Sequence, residues 1–335
     1  MAQLSQSIGT ASATGSASAT RNASIDAFRL IAAAMVVAGH SNFLCDTESL
    51  ACLSTIHGGF RLAIPVFLTI SGYYFFAAMQ ADREWTWVKR IGRLYLVWMI
   101  IYSPFWLIGP ILQGATHDIP ENIVFGYYHL WYVVAVAGAA LMTIFLSRLG
   151  MGWLLAIGLV LFGVGVLIQY ALNYGFLPDR LVHHAKNGWL QRNFIFFGFP
   201  FFALGYVIAA RKIETKVSRS AMIGVLVAGL VLLALEVGSN YVAAGKIHVF
   251  ELYAAIIIGG PALFMIALKT NWQSRRRNIS KFAEAIFLLH ILVLTALSSL
   301  LDVGSVTMSF LCLAVTAPLA AGLVWLDQRV KGVFL

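Results

Sequence analysis

The sequence is poor in charged residues: Asp, Glu, Lys and Arg make up 11% of its 335 residues, whereas hydrophobic residues make up 60%. Soluble domains carry about 25% charged residues, so this chain has too few to cover a water-exposed surface. Its apolar residues come in runs of about 20, the length that an α-helix needs to cross a bilayer. The shortage of charge therefore argues against an ordinary soluble enzyme and predicts an integral membrane protein.

Acidic residues are the scarcer of the two charges, with 14 Asp and Glu against 23 Lys and Arg, which gives a net charge of +9. An excess of basic residues is also found in nucleic-acid-binding proteins. Here, however, the basic residues lie in short loops between apolar runs, where they set the orientation of a membrane protein. No aromatic and basic surface module accompanies them, so nucleic acid is not an expected partner.

Cysteine is rare as well, with three residues in the chain. No Cys and His spacing resembles a zinc site, so neither a metal nor a bound cofactor is expected. Cys45 and Cys52 both lie in the first predicted outer loop, where an oxidising periplasm would permit a disulfide between them. Two free thiols are the equal alternative. Cys312 lies inside the last predicted span.

The apolar runs predict an all-α bundle of about ten transmembrane helices, because lipid cannot satisfy free backbone groups. The predicted spans are residues 25–43, 60–79, 91–112, 124–146, 151–172, 193–210, 219–240, 248–268, 284–301 and 304–326. Residues 25–326 are thus predicted to form a single transmembrane domain. Residues 1–24, rich in Ser, Ala, Thr and Gly, are predicted to be a disordered cytoplasmic tail, and 327–335 a short cytoplasmic tail.

The distribution of Lys and Arg predicts the orientation. If the N-terminus is cytoplasmic, 18 of the 23 basic residues fall in cytoplasmic segments. The five that remain outside are Arg61, Arg180, Lys186, Arg192 and Lys246. This asymmetry predicts an even number of spans, both termini in the cytoplasm, and a multi-pass protein of a bacterial inner membrane.

Three ionisable residues lie along one line of the first predicted helix. Arg29 and His40 are eleven residues apart, which brings them to within about 20° of the same helix face and about 16 Å apart along the axis. Asp26 lies near the same line. Ionisable residues inside a membrane are costly and therefore are functional candidates. The alternative is that Arg29 reaches the inner interface and His40 caps the outer end.

Five short motifs follow one another along the predicted spans. Arg29, ten intervening residues and His40 open the series, and an apolar run into Ser-Gly, an Arg-x-x-Arg pair and two His-containing segments follow. The motifs are Ile25–Arg29 with His40, Ile64–Tyr74, Lys89–Arg93, His129–Tyr132 and Ile286–His290. From about residue 24 to 326 the chain resembles the membrane-bound acyltransferase-3 family, although Phe287 stands where Tyr is more usual.

The resemblance implies an O-acyltransferase, expected to be an O-acetyltransferase, that moves an acyl group from cytoplasmic acyl-CoA to a hydroxyl of an envelope or exported saccharide. Acetyl-CoA is the expected co-substrate and His40 the expected catalytic base. Arg29, Arg90 and Arg93 are the expected acyl-CoA-binding residues, because guanidinium groups bind phosphate bidentately. For Arg90 and Arg93, anchoring at the cytoplasmic face is the alternative.

Asp26, Glu251 and His129 are weaker, supporting candidates. Glu251 opens the eighth predicted span and either faces the same cavity or caps that helix, and His129 lies in a span end whose aromatic residues are typical of an interface belt. The expected partners are acyl-CoA, a saccharide or lipid-linked glycan acceptor, the lipid bilayer and polysaccharide-biosynthesis proteins.

A small-solute or amino-acid transporter is the alternative from another functional class, since spans with buried charges also suit a carrier. A carrier would move its substrate without acyl-CoA, whereas an enzyme would consume acyl-CoA. The prolines show no matched pattern of the kind found in transporters built from inverted repeats.

Overall fold

The computed structural model describes residues 21–178, 182, 188–244, 250–270, 272–274, 278–330 and 332–335. Most of the predicted N-terminal tail (residues 1–20) lies outside the described residues. So do seven basic residues of the orientation count: Arg180, Lys186, Lys246, Arg275, Arg276, Arg277 and Lys331.

The described residues form a helical bundle whose only strands are two residues long. The strands are β1 (Arg21–Asn22) and β2 (Gln273–Ser274). The helices are α1 (Ala23–His40), α2 (Leu50–Thr55), α3 (Ala63–Gln80), α4 (Glu84–Ile101), α5 (Gly109–Gln113), α6 (Ile119–Phe125), α7 (Trp131–Leu146), α8 (Met151–Asn173), α9 (Phe199–Arg211), α10 (Ile213–Lys216), α11 (Arg219–Ala244), α12 (Ile256–Thr270), α13 (Asn278–Leu300) and α14 (Ser305–Arg329). Short 3₁₀ turns occur at Gly59–Leu62, Tyr128–Leu130 and Ser147–Leu149, and π-helical turns at Pro104–Ile108 and Phe194–Gly198.

Eight helical stretches in the described part of the chain are long and apolar enough to cross a membrane. They are Ala23–His40, Leu50–Gln80, Tyr128–Leu149, Met151–Asn173, Phe194–Arg211, Arg219–Ala244, Asn278–Leu300 and Ser305–Arg329. The all-helical, multi-pass character predicted from the sequence is therefore confirmed. The predicted number of ten is not, because two of the predicted spans are not straight helices of full length.

The third predicted span, 91–112, is broken. Glu84–Ile101 and Pro104–Gln113 meet at an angle of 58° and would provide a ninth span if they cross together. Pro104 has no N–H to donate and its ring crowds the preceding turn, which favours a kink or break of the helix at this point. The eighth predicted span, 248–268, contains a helix of 15 residues that begins only at Ile256.

The two ends of the predicted transmembrane domain also shift. Helix α1 begins at Ala23, and both Ala23 and Ser24 are buried, so these residues belong to the bundle and not to the tail. Helix α14 continues to Arg329, and Asp327 is fully buried within it. The Asp327 carboxylate accepts hydrogen bonds from the backbone N–H groups of Phe334 and Leu335 at 2.9 and 3.0 Å, so the predicted tail folds back onto the bundle.

Helices α1 and α13 run parallel and in register. At one end β1 pairs with β2, and the Arg29 guanidinium donates to the Ser280 hydroxyl. At the other end the rings of His40 and His290 lie 5.2 Å apart. Both ends of the predicted Arg29–His40 line therefore face the same neighbouring helix.

Helices α3 and α9 pack backbone against backbone. A Cβ added to Gly72 would lie 1.9 Å from the Phe202 carbonyl oxygen, and one added to Gly205 would lie 1.9 Å from that of Thr69. Only glycine permits so close an approach of two helices. This contact fixes the position of α3, whose first turn enters the site described below.

Candidate functional site

A cavity of about 430 Å³ lies at the end of the bundle where α1 ends and α3 begins. Helix α1 contributes His40, the turn before α3 contributes His57 and Arg61, and the 3₁₀ turn before α7 contributes His129. Arg192 and Glu251 line it from segments that precede α9 and α12. Six ionisable side chains thus converge from five separate parts of the chain, which is the arrangement expected of a binding or catalytic pocket.

Three histidines form the inner part of this site. The His290 ring lies 5.2 Å from the His40 ring and 5.1 Å from the His129 ring, measured between centroids. The Nδ1 atom of His290 lies 2.6 Å from the Phe287 carbonyl oxygen and therefore donates a hydrogen bond to it. This bond fixes the ring orientation of His290, and a neutral His290 then keeps its Nε2 atom as a proton acceptor.

The His40 ring is held from a second side by Tyr128, with centroids 5.0 Å apart. Tyr128 has a positive φ of 48°, an uncommon conformation for a bulky residue that is more frequent at functional sites. His40 is half-buried, whereas His129 and His290 are buried. Of the three imidazoles, His40 is thus the one best placed to meet a substrate entering the cavity.

Charged side chains form the outer part of the site. The Arg61 guanidinium donates to Glu251 Oε2 at 2.7 Å, and Arg192 Nη1 lies 3.6 Å from Glu251 Oε1. The Glu251 backbone N–H is held in turn by the Gln169 side chain at 2.8 Å. The predicted supporting residue Glu251 therefore faces the cavity, the first of the two alternatives the sequence left open.

The residues expected to bind acyl-CoA lie elsewhere. Arg29 contacts Ser280 and lies over the Tyr74 ring at 5.5 Å, one long helix away from His40. Arg90 and Arg93 are exposed on α4, and Arg93 donates to the Gly332 carbonyl at 2.6 Å. Asp26 is buried at the start of α1. None of these four is among the residues that line the cavity in the described part of the chain.

The structure joins Cys45 and Cys52 in a disulfide whose Cα atoms are 4.7 Å apart. In the part of the chain that the structure describes, these two cysteines and His57 form the one group of three potential metal ligands. Because the disulfide uses both thiols, this group does not fit a metal ion.

The sequence interpretation missed several residues of the site. Arg61 and Arg192 were counted only for orientation, His290 was not distinguished from a core histidine, and His57 was not considered. One signal was available: Arg61 and Arg192 are two of only five basic residues that the charge count predicts to lie outside.

Comparison with known proteins identifies the family. The family model described as an acyltransferase domain matches residues 22–325. The chain belongs to the acyltransferase-3 family. The resemblance seen in the motifs is thereby confirmed.

Curated relatives of this acyltransferase-family chain include two Enterococcus proteins. A serine/alanine racemase of Enterococcus gallinarum is 29% identical over 301 residues, covering 81% of this chain and 40% of that protein. An amino-acid racemase of Enterococcus faecalis is 24% identical over 308 residues, covering 82% of this chain and 41% of that protein. The chain thus spans about two fifths of the length of these relatives. No solved structure matches the chain.

Proposed function

We propose that this protein is a membrane O-acetyltransferase that transfers an acetyl group from cytoplasmic acetyl-CoA to a hydroxyl of an envelope or exported saccharide. One observation carries the proposal: in a member of an acyltransferase family, the imidazole of His40 lines a polar cavity and is oriented by two neighbouring rings. A neutral imidazole held in this way is suited to accept a proton from an attacking hydroxyl.

The proposal includes the topology that the basic residues favour. Ten spans with both termini in the cytoplasm, in a bacterial inner membrane, put Arg29, Arg90 and Arg93 at the cytoplasmic face and the cavity toward the outer face. The broken segment Glu84–Gln113 and the short helix α12 would then be the two spans that length and composition alone do not identify.

In the proposed reaction the acceptor hydroxyl oxygen attacks the thioester carbonyl carbon. His40 takes the hydroxyl proton, the new ester C–O bond forms, and the C–S bond breaks so that the CoA thiolate leaves and receives a proton. His290, fixed by the Phe287 carbonyl, would orient the His40 ring. The acyl-CoA arm would follow the face of α1 that joins Arg29 to His40, with the nucleotide end near Arg90 and Arg93.

The test follows labelled acetyl groups from acetyl-CoA into saccharide in vesicles that contain the protein. We expect His40→Ala to lower the transfer rate by at least about 100-fold, the usual contribution of a general base. His117, an exposed histidine paired with Asp118, provides the matched control, and His117→Ala should leave transfer unchanged. Transfer at the normal rate by His40→Ala would refute the catalytic role.

The proposed binding of acetyl-CoA has its own test. Replacing both Arg90 and Arg93 with Gln should weaken acetyl-CoA binding by about tenfold or more, because charge-assisted bonds to phosphate are lost. Arg211→Gln, another exposed cytoplasmic-side arginine in the proposed topology, is the control. Unchanged affinity of the double variant for acetyl-CoA would show that the pair only anchors the protein at the membrane.

A second candidate, an amino-acid or small-solute transporter, is favoured by the names of the curated relatives, which act on serine, alanine or other amino acids. The chain covers only about two fifths of those proteins, so transport would be a property of the portion that they share with this chain. Uptake of labelled serine or alanine into vesicles without acyl-CoA would support the transporter, and acetyl-CoA consumption without uptake would support the enzyme.

A further inference from the structure

The outer wall of the cavity carries more positive than negative groups. Among its lining residues, Arg61 and Arg192 each bring a guanidinium, and Glu251 brings a carboxylate. The side chains of Arg61 and Glu251 are only 17% and 19% exposed, and that of Arg192 is 25% exposed. Removing these charges from water is costly, and an ion pair of purely structural use could be made with one arginine.

Arg61 keeps hydrogen-bonding capacity beyond its bond to Glu251. Its buried Nε atom has no hydrogen-bond partner among the described residues, and neither has the buried Nδ1 atom of the neighbouring His57. Arg61 lines the cavity and its guanidinium has more donor groups than the bond to Glu251 uses, so a ligand that enters the cavity meets free hydrogen-bonding capacity. Since a guanidinium only donates hydrogen bonds, that ligand must supply acceptor oxygens.

The positions of these groups are fixed by the fold. Arg61 lies in the 3₁₀ turn Gly59–Leu62 that leads directly into α3. The Arg192 guanidinium lies 5.8 Å from the centre of the Trp131 ring, at the start of α7. Glu251 is held by the two arginines and by Gln169. A ligand would therefore meet preorganised cations, which lowers the entropic cost of binding.

We propose that Arg61, assisted by His57 and Arg192, binds an anionic group, carboxylate or phosphate, carried by the acceptor whose hydroxyl meets His40. This inference rests on the proposed acyltransferase function and specifies its acceptor as an acidic saccharide. The cavity volume of about 430 Å³ lies within the range of small-molecule sites, about 300–1,000 Å³. One acidic sugar unit can thus contact the cations and His40 in the same cavity.

The experiment compares probes that differ only in the anionic group. Binding of methyl glucoside, methyl glucosiduronate (the methyl glycoside with a free carboxylate) and methyl glucoside 6-phosphate to the purified protein is measured in a neutral maltoside detergent, without acyl-CoA. An additional arm adds phosphatidylglycerol, to learn whether a lipid phosphate competes for the site. We expect the two acidic sugars to bind at least about tenfold more tightly than the neutral sugar.

Arg61→Gln should abolish that preference while binding of the neutral sugar persists, and Arg61→Lys should restore part of it. Arg148→Gln is the matched control, because Arg148 is exposed and lies over the Phe145 ring away from the cavity. If Arg61→Gln fails to fold, the proposal is still tested by the binding of acidic and neutral sugars to the wild type and to Arg61→Lys. Equal binding of acidic and neutral sugars by the wild type, or a preference that survives Arg61→Gln, would overturn the proposal.

The same probes separate this inference from the proposed function when they are offered as acceptors with labelled acetyl-CoA. Acetyl transfer without preference for acidic sugars would contradict the anionic site and leave the acyltransferase proposal standing. Selective binding of acidic sugars without transfer to any of them would support the anionic site and count against the acyltransferase. If phosphatidylglycerol binds at this site and neither acidic sugar does, the site belongs to a lipid headgroup and its role in acceptor choice is overturned.

Discussion

Glu236 is a carboxylate within the long apolar helix α11, and its replacement by Ala should destabilise the end of the bundle that holds the cavity. Its Oε1 atom accepts from the Ala254 N–H at 2.7 Å and from the Tyr170 hydroxyl at 2.8 Å, and its Oε2 atom accepts from the Ala255 N–H at 2.9 Å. These amides lie just before α12, in the segment that also carries Glu251. Glu236 thus fixes this segment from a neighbouring helix.

The expected cost follows from these bonds. A hydrogen bond to a charged group contributes about 1.5–3 kcal/mol. The Ala254 bond is exposed, so water would replace it, whereas the other two are partly buried. Taking the lower figure for two bonds lowers the free energy of unfolding by about 3 kcal/mol. At roughly 2 °C per kcal/mol for a large domain, the melting temperature should fall by about 6 °C.

The assay is thermal unfolding of the purified protein in detergent. Glu236→Gln keeps one acceptor oxygen and should give a smaller decrease than Glu236→Ala. Glu48, which is exposed in the first loop, provides the control, and Glu48→Ala should change stability by less than about 0.5 kcal/mol. If Glu236→Ala unfolds within about 1 °C of the wild type, the proposed anchoring of the segment before α12 is wrong.

Two further predictions concern the frame around the site. Reduction of the Cys45–Cys52 disulfide, with a sequence separation of 7, should cost about 2.4 kcal/mol by loop entropy, seen as a lower melting temperature in dithiothreitol. A variant with both cysteines changed to Ser should melt at that lower temperature whether or not reductant is present. Gly72→Ala would place its Cβ against the Phe202 backbone and should cost about 3 kcal/mol or prevent folding. Gly92→Ala, with nothing within 4 Å of the new Cβ, should be tolerated, and equal melting temperatures of the two variants would contradict the close packing of α3 and α9.

The broken and shortened spans show where sequence reasoning reached its limit. A hydropathy pattern averages over a window and therefore predicts an apolar run without showing how the backbone passes through it. The bend after Ile101 depends on the local effect of Pro104. The late start of α12 accompanies hydrogen bonds from Ala254 and Ala255 to Glu236, which lies 18 and 19 residues earlier on another helix. Such a partner leaves no periodic signal.

The sequence by itself determined that this is a multi-pass membrane protein, which family it belongs to, and that Arg29 and His40 share one face of a helix. Composition and 3.6-residue periodicity are local properties, so a single helix reveals which residues share a face. Only the tertiary structure decided that this face meets His290 beside His40, and that Arg61 pairs with Glu251 across 190 residues of chain. These pairings depend on how helices pack and on which charges can share a partly buried cavity. The sequence therefore identified His40 as a candidate, and the fold placed it in a cavity with histidines on one side and cations on the other.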